Sequence, residues 1–252
     1  MLYLDKGYIG RFEMADKQAA KEQIGEYVRQ LKKAGHRRII APINGNTWHE
    51  YRLVSWCGGH APFAMEPQNP LWYNEVYTEL GFKPIMKYRS DKFHIGGINP
   101  APKTDPALTI RGFQEGDIKL IYDISIESFS GNFLYEKIAF EEFNKLYRPF
   151  LPMIDKDLVV IAEIDGAPIG FMFTFIPTGG NVQILKTMAV LPWFRGMGIG
   201  SGLMEHVLAA GREKGADTAI AALMADNVYS ADIIAKYGGK KIREYTLYSL
   251  EV

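Results

Sequence analysis

Residues 188–204, Met-Ala-Val-Leu-Pro-Trp-Phe-Arg-Gly-Met-Gly-Ile-Gly-Ser-Gly-Leu-Met, hold the pattern that decides the fold of this 252-residue chain. An apolar strand ends, the chain turns at Pro192, and a glycine-rich loop opens onto an amphipathic helix. Glycine lets a backbone turn sharply and approach a ligand closely. The first N–H groups of a helix have no partner inside it, and the helix N-terminus carries about half a positive charge. The order therefore predicts a site for a phosphate or pyrophosphate, where Arg195 can add a full charge.

Two well-known phosphate-binding patterns do not fit this loop. A Walker loop ends in Gly-Lys-Ser/Thr, and no lysine lies between Lys186 and Lys214. A dinucleotide-binding fold needs the pattern Gly-x-Gly-x-x-Gly. Counted from Gly196 the last place is Ser201, and counted from Gly198 it is Leu203, so that pattern fails in both registers.

A third pattern fits, Arg/Gln-x-x-Gly-x-Gly/Ala after a strand that ends in Val-x-Pro. Val190 and Pro192 supply the strand end, and Arg195 begins the loop. This arrangement resembles the pyrophosphate loop of the GNAT superfamily of acyl-CoA-dependent N-acyltransferases. Asn227, after the next apolar strand, matches the asparagine that often contacts pantetheine in that family.

The resemblance extends over residues 108–252. Apolar alternation and helical spacing predict the order β-α-α-β-β-β-α-β-α-β, with Asp165-Gly166 as a hairpin turn and Asp117 as an N-cap. This is the element order of a GNAT domain. The resemblance implies an α/β fold, with a mixed, mostly antiparallel sheet flanked by helices.

The N-terminal piece resembles a degenerate GNAT half-lobe in tandem with that domain. Glycines and prolines cluster between Gly96 and Pro106, which predicts three parts: residues 1–95, a linker at 96–107, and the domain at 108–252. Residues 77–83 and 234–240 are similar, which indicates an internal repeat. The region around Ala15 to Lys21, where this lobe would need its own loop, contains no glycine, so we expect no CoA site there.

Composition excludes several other classes. Lys plus Arg and Asp plus Glu both number 29, so the strong positive charge of a dedicated nucleic-acid binder is absent. The single cysteine, Cys57, rules out an intramolecular disulfide framework, and no Cys/His set has the spacing of a metal site. The N-terminus does not resemble a signal peptide, and no apolar run approaches the ~20 residues that span a bilayer. We expect a cytoplasmic monomer or homodimer that binds neither nucleic acid nor membrane.

The family resemblance implies which residues contact CoA. The backbone at the end of the strand before the loop would bind pantetheine, and the loop would bind pyrophosphate. Two residues after the fifth strand of the predicted domain would complete the site. These residues are Met188, Ala189, Val190, Arg195, Gly196, Met197, Gly198, Ile199, Gly200, Ser201, Asn227 and Ser230.

The catalytic groups of the family are harder to place in this sequence. An alkylamine has a pKa of ~10.4, so a neutral amine at pH 7 costs roughly 4.6 kcal/mol and needs a base. The strand before the loop has no carboxylate, which leaves Glu127 and Glu163 as candidate bases. The family's tyrosine acid falls on Ile234, whereas Tyr77 of the N-terminal lobe is in that register and is expected in the core.

These observations predict an N-acetyltransferase that uses acetyl-CoA and acts on an amine of a small molecule. An aromatic set in the region of the GNAT acceptor pocket supports such an acceptor, with Phe133 or Tyr135 as the residues expected to face it. The set is Phe129, Phe133, Tyr135, Phe140, Phe143, Tyr147 and Phe150. The alternative, favoured by Ile234 in the acid register, is a non-catalytic acyl-CoA binding or sensing module.

Overall fold

The chain forms an α/β fold, described by a computed structural model for residues 1–96, 107–226 and 229–252, without the side chains of Met153 and residues 229–232. The helices are α1 (Lys17–Lys33), α2 (Trp72–Glu79), α3 (Ile118–Ser128), α4 (Phe140–Tyr147), α5 (Ile199–Glu213) and α6 (Tyr229–Lys236). The strands are β1 (Leu2–Tyr3), β2 (Tyr8–Ile9), β3 (Arg38–Ala41), β4 (Leu53–Cys57), β5 (Lys83–His94), β6 (Leu108–Gly112), β7 (Val159–Ile164), β8 (Ala167–Phe175), β9 (Val182–Val190), β10 (Thr218–Ala225) and β11 (Lys240–Glu251).

The described residues divide into two compact units that are discontinuous in sequence. Unit 1 comprises Met1–Ser90, Leu223–Ala231 and Lys241–Val252, and unit 2 comprises Asp91–Ala222 and Asp232–Lys240. The last strand, expected with the C-terminal domain, therefore belongs to unit 1. Most of the expected linker lies outside the described residues, and the division at 96–107 stays a prediction.

Unit 1 is built on antiparallel pairing to β11. Strand β11 pairs with β3 and with β4, β3 pairs in parallel with β2, and β2 pairs with β1. Helices α1 and α2 bury their apolar faces in a core with Ile24, Leu31 and Tyr77 at its centre. No strand was predicted for β4, whose partner strand among the described residues, β11, lies almost 190 residues later in the chain.

Unit 2 contains four strands in antiparallel order, β9-β8-β7-β6, and β10 joins the outer edge of β9 in parallel. The turn between β7 and β8 has Asp165 and Gly166 at φ 49° and 74°, which confirms the expected hairpin. The mostly antiparallel sheet predicted from the sequence is confirmed. Asp117 is not the expected side-chain cap of α3, because its carboxylate binds Arg111 and the N–H of Gln114 instead.

A buried glutamine fixes α5 against β9. The side-chain N–H of Gln183 donates to Thr174 Oγ1 and to the Val207 carbonyl, each at 2.9 Å. A methyl group at Gly211 would overlap the side-chain oxygen of Gln183. Gly211 therefore allows the helix to lie close enough to the strand for this bond to form.

We expect Gly211→Ala to destabilise the fold by about 1–3 kcal/mol, although alanine by itself favours a helix. Gly25→Ala in α1 is the matched control, because its methyl group would meet only the end of Arg29 at 3.8 Å. The control should stabilise the fold by up to about 1 kcal/mol. Denaturant unfolding of both variants measures the difference, and equal stabilisation by both changes would contradict this account of Gly211.

Candidate functional site

The glycine-rich loop connects β9 to α5 through backbone conformations that favour glycine. After β9, residues Pro192–Phe194 form a 3-10 turn, and Gly196 and Gly198 follow at φ 81° and 80°. A methyl group at Gly196 would meet nothing within 4 Å. The loop is thus a tight turn with an open side, as expected from its sequence.

The N-terminus of α5 presents backbone donors without a capping side chain. The N-cap is Gly198, and the first helical bond is from the Gly202 N–H to the Gly198 carbonyl at 2.9 Å. The N–H groups of residues 199–201 therefore have no acceptor inside the helix. Unsatisfied donors and the positive end of the helix dipole favour an anion here.

The equivalent helix end of the N-terminal lobe has the opposite character. Asp16 caps α1, and its carboxylate accepts a hydrogen bond of 2.8 Å from the N–H of Ala19. The cap occupies a donor and places a negative charge where a phosphate would have to lie. This geometry fits the expectation that the N-terminal lobe holds no CoA.

Strand β9 offers backbone groups beside the loop. Its pairing with β10 runs from Val182↔Thr218 to Leu185↔Ala221, and no further β9–β10 pair occurs among the described residues. On the other edge, the Leu191 N–H donates to the Ile169 carbonyl at 2.9 Å. Since alternate residues of a strand point to alternate edges, the N–H and C=O groups of Met188 and Val190 point away from β8.

Arg195 binds protein carbonyl groups. Its Nε donates to the Val190 carbonyl at 3.2 Å, and its terminal nitrogen donates to the Ser128 carbonyl at the end of α3 at 2.7 Å. A cation at a helix C-terminus is favourable. Arg195 thus joins the strand end, the loop and α3, a positioning role that its motif alone did not indicate.

The two candidate bases lie in different surroundings. Glu127 is exposed in the last turn of α3, next to Ser128, which Arg195 contacts. Glu163 accepts a hydrogen bond from Arg111 Nε at 2.8 Å, and Arg111 also binds Asp117 at 2.6 Å. Of the two candidates, Glu127 is thus the exposed one, and Glu163 is held in an ion pair.

The position of the family's tyrosine acid is apolar in this chain. Ile234 is 1% exposed, so nothing at this position can donate a proton. Tyr237 stacks on Phe93, and burial raises the pKa of its hydroxyl. Tyr77 lies fully buried in the core of unit 1, where burial raises the pKa of its hydroxyl far above the usual range.

Two of the residues named from the sequence cannot be placed in the site. Asn227 lies outside the described residues, and so does the side chain of Ser230. Their contacts with CoA stay predictions.

Part of the aromatic set lines a cavity in unit 2. Phe129, Phe143, Tyr147 and Phe150 face it, together with Thr187 of β9. Phe133 is 38% exposed and Tyr135 donates to the Ile126 carbonyl, and neither of them lines this cavity. Their expected contact with the acceptor stays a prediction.

Comparison with known proteins defines the class. Residues 118–238 match the Acetyltransferase (GNAT) family. An uncharacterized N-acetyltransferase from Archaeoglobus fulgidus is 33% identical over 114 residues, which are 42% of this chain and 76% of that protein. The histidine N-acetyltransferase of Xenopus tropicalis is 31% identical over 84 residues, 33% of this chain and 26% of that protein. The chain thus spans about a quarter of the length of this second relative.

A solved structure has the same fold. The GCN5-related N-acetyltransferase from Sphaerobacter thermophilus superposes with a TM-score of 0.64 at 13% identity, over 94% of this chain and 69% of that one. The chain belongs to the GNAT acetyltransferase family. It is therefore assigned as an acyltransferase.

Among the described residues, no group of three or more His, Cys, Asp or Glu side chains could hold a metal ion. None of the helices within these ranges is both long enough and apolar enough to cross a bilayer.

The ion-pair cluster around Arg111 predicts an order of stabilities. Asp117→Asn should cost most, about 1–3 kcal/mol, because Asp117 accepts hydrogen bonds from both Arg111 and the N–H of Gln114. Glu163→Gln should cost less, about 1 kcal/mol, and Asp123→Asn, in an exposed pair with Lys119, about 0.5 kcal/mol or less. Thermal unfolding measures the order, and an equal cost at all three positions would contradict it.

Proposed function

We propose that this acyltransferase transfers an acetyl group from acetyl-CoA to an amine of a small-molecule acceptor. The observation that carries the proposal is the uncapped N-terminus of α5, which opens directly after the free edge of β9. Unpaired donors from a helix end and from a strand edge then lie within ten residues of one another. Such an arrangement suits a ligand that has a pyrophosphate at one end and amides along its length.

The loop and the strand would each bind one part of this ligand. The backbone of Arg195 to Ser201 would hold the pyrophosphate, chiefly through the N–H groups of residues 199–201. The outward C=O of Met188 and the N–H of Val190 would bind the pantetheine amides. Gly196 leaves the open space that a phosphate needs. Arg195 holds the loop in place through Val190 and Ser128.

Groups of the chain would accept the proton of the amine and stabilise the negative charge that develops on the thioester oxygen. Bound acetyl-CoA would supply an electrophilic thioester and a thiolate that leaves readily. We assign the amine proton to the carboxylate of Glu127, with Glu163 as the second candidate, and the developing oxyanion to the N–H of Met188. The absence of a hydroxyl at Ile234 means that the thiolate leaves without a tyrosine acid at this position.

The small size of the acceptor is supported by the apolar cavity and by the neutral net charge of the chain. The named relative from Xenopus tropicalis acts on an amino acid, which is a small amine of this kind. We place the activity in the cytoplasm, where an exposed free cysteine such as Cys57 stays reduced.

A matched pair of glycine variants tests the cofactor site. Gly196 and Gly215 both have positive φ, 81° and 87°, and both have open space around a methyl group, but they lie at opposite ends of α5. Acetyl-CoA at 100 times its Kd should stabilise the wild type by about 2.7 kcal/mol. Gly196→Glu should abolish the thermal shift through charge repulsion, whereas Gly215→Glu should retain it. Loss in both variants, or in neither, would reject the loop as the site.

A second matched pair tests the base. Glu127→Gln should lower kcat by about 10²-fold or more, because it removes the proton acceptor and leaves the CoA loop intact. Glu163→Gln should change kcat by roughly threefold or less, since its carboxylate binds Arg111. Steady-state kinetics with acetyl-CoA and the best acceptor, measured between pH 6 and 9, separates the two. A large loss in Glu163→Gln alone would reverse the assignment.

A further inference from the structure

We propose that the acceptor is a primary amine whose remaining part is uncharged and apolar, an alkyl or aryl group that enters the cavity of unit 2. This inference rests on the proposed acetyl transfer and narrows its substrate class. The lining of the cavity, its lack of charge and its position beside β9 support it.

The cavity is lined almost entirely by hydrocarbon. Of the thirteen described lining residues ten are Phe, Ile or Leu, and the three others are Ser125, Tyr147 and Thr187. The cavity has a volume of about 30 Å³. A branched alkyl group or the edge of a ring fits it with small movements of the lining side chains.

No described residue that lines the cavity carries a charge. Burial raises the pKa of Tyr147 to about 12, so its hydroxyl stays neutral at pH 7. A second ammonium or a carboxylate on the acceptor would lose its hydration here without gaining a partner of opposite charge. Diamines and free amino acids are therefore expected to be poor acceptors at this site.

The cavity reaches β9 next to the proposed reaction centre, because Thr187 is one of its lining residues. Met188, the next residue of β9, faces the other side of the strand. A methyl group at Gly200 of α5 would lie 3.5 Å from the sulfur of Met188. Since neighbouring residues of a strand point to opposite faces, the cavity and α5 lie on opposite sides of β9. An apolar group in the cavity would thus place an attached amine near the outward N–H of Met188.

The same apolar chemistry could come from a long acyl chain on the donor. We assign the cavity to the acceptor rather than to an acyl chain because aromatic side chains surround it on several sides. They come from the C-terminal end of α3, from α4 and from β8, as at Phe129, Phe143 and Phe171. Such a shape suits a short, wide group better than an extended chain. The experiment includes a donor arm to separate these two sources.

The experiment measures kcat/KM of the full chain with acetyl-CoA for four acceptors: phenethylamine, isopentylamine, putrescine and histidine. We expect roughly tenfold or higher values for the two apolar amines than for putrescine and histidine. In the donor arm, octanoyl-CoA should be used less well than acetyl-CoA. Thermal shifts with phenethylamine and with putrescine, without donor, give a second readout that needs no turnover.

A charge placed in the lining tests the cavity directly. Leu151→Glu adds a carboxylate to its lining and should lower kcat/KM for phenethylamine by about tenfold while raising the relative value for putrescine. Leu71→Glu, on a leucine outside the cavity that is 46% exposed, is the matched control and should leave selectivity unchanged. If Leu151→Glu does not fold, Ile154→Phe, which narrows the same lining, should reduce turnover of phenethylamine more than that of methylamine.

The outcomes separate this inference from the proposed function. Turnover that prefers putrescine or histidine, selectivity that the Leu151→Glu and Ile154→Phe variants leave unchanged, or efficient use of octanoyl-CoA with poor use of apolar amines would each overturn the inference and leave acetyl transfer standing. No thermal shift with acetyl-CoA and no turnover of any amine would overturn the proposed function, and with it this inference.

Discussion

The early end of the pairing between β9 and β10 is the constraint on which the candidate site depends. Among the described residues, the two strands pair from Val182↔Thr218 to Leu185↔Ala221, while β9 continues to Val190 beside β8. Its outward backbone groups near Met188 and Val190 therefore need partners from elsewhere. The Val190 carbonyl accepts a hydrogen bond from Arg195. The outward N–H and C=O of Met188 and the N–H of Val190 are the groups that a ligand with amides could bind.

Polar contacts hold this strand on both sides of the free edge. Gln183 ties the paired half of β9 to α5, and Arg195 ties its far end to α3. The loop between them can then remain rich in glycine without side-chain support of its own. Comparison of α5 with α1 shows what this arrangement achieves. Where Asp16 caps α1, the helix end is closed to an anion, and where Gly198 begins α5, it stays open.

Much of the fold could be predicted from the sequence because its elements are local. Asp16 and the apolar spacing after it set α1, and Asp165-Gly166 set the β7–β8 turn. Strand β4 was missed because only its pairing with β11, distant in sequence, makes it a strand. The function of Asp117 was misjudged for a similar reason. Its carboxylate has Arg111 as a nearer and charged partner, and this competes with a helix cap.

The sequence by itself determined the family, the glycine-rich loop and the lack of a tyrosine at Ile234, because each depends on residue types at fixed spacing. Only the tertiary structure decided which of the aromatic residues face a cavity, what Arg195 binds, and that Glu163 is held by Arg111 while Glu127 is exposed. These properties depend on which side chains from distant segments meet. Contacts of that kind follow from packing and burial, which no local pattern of residues records.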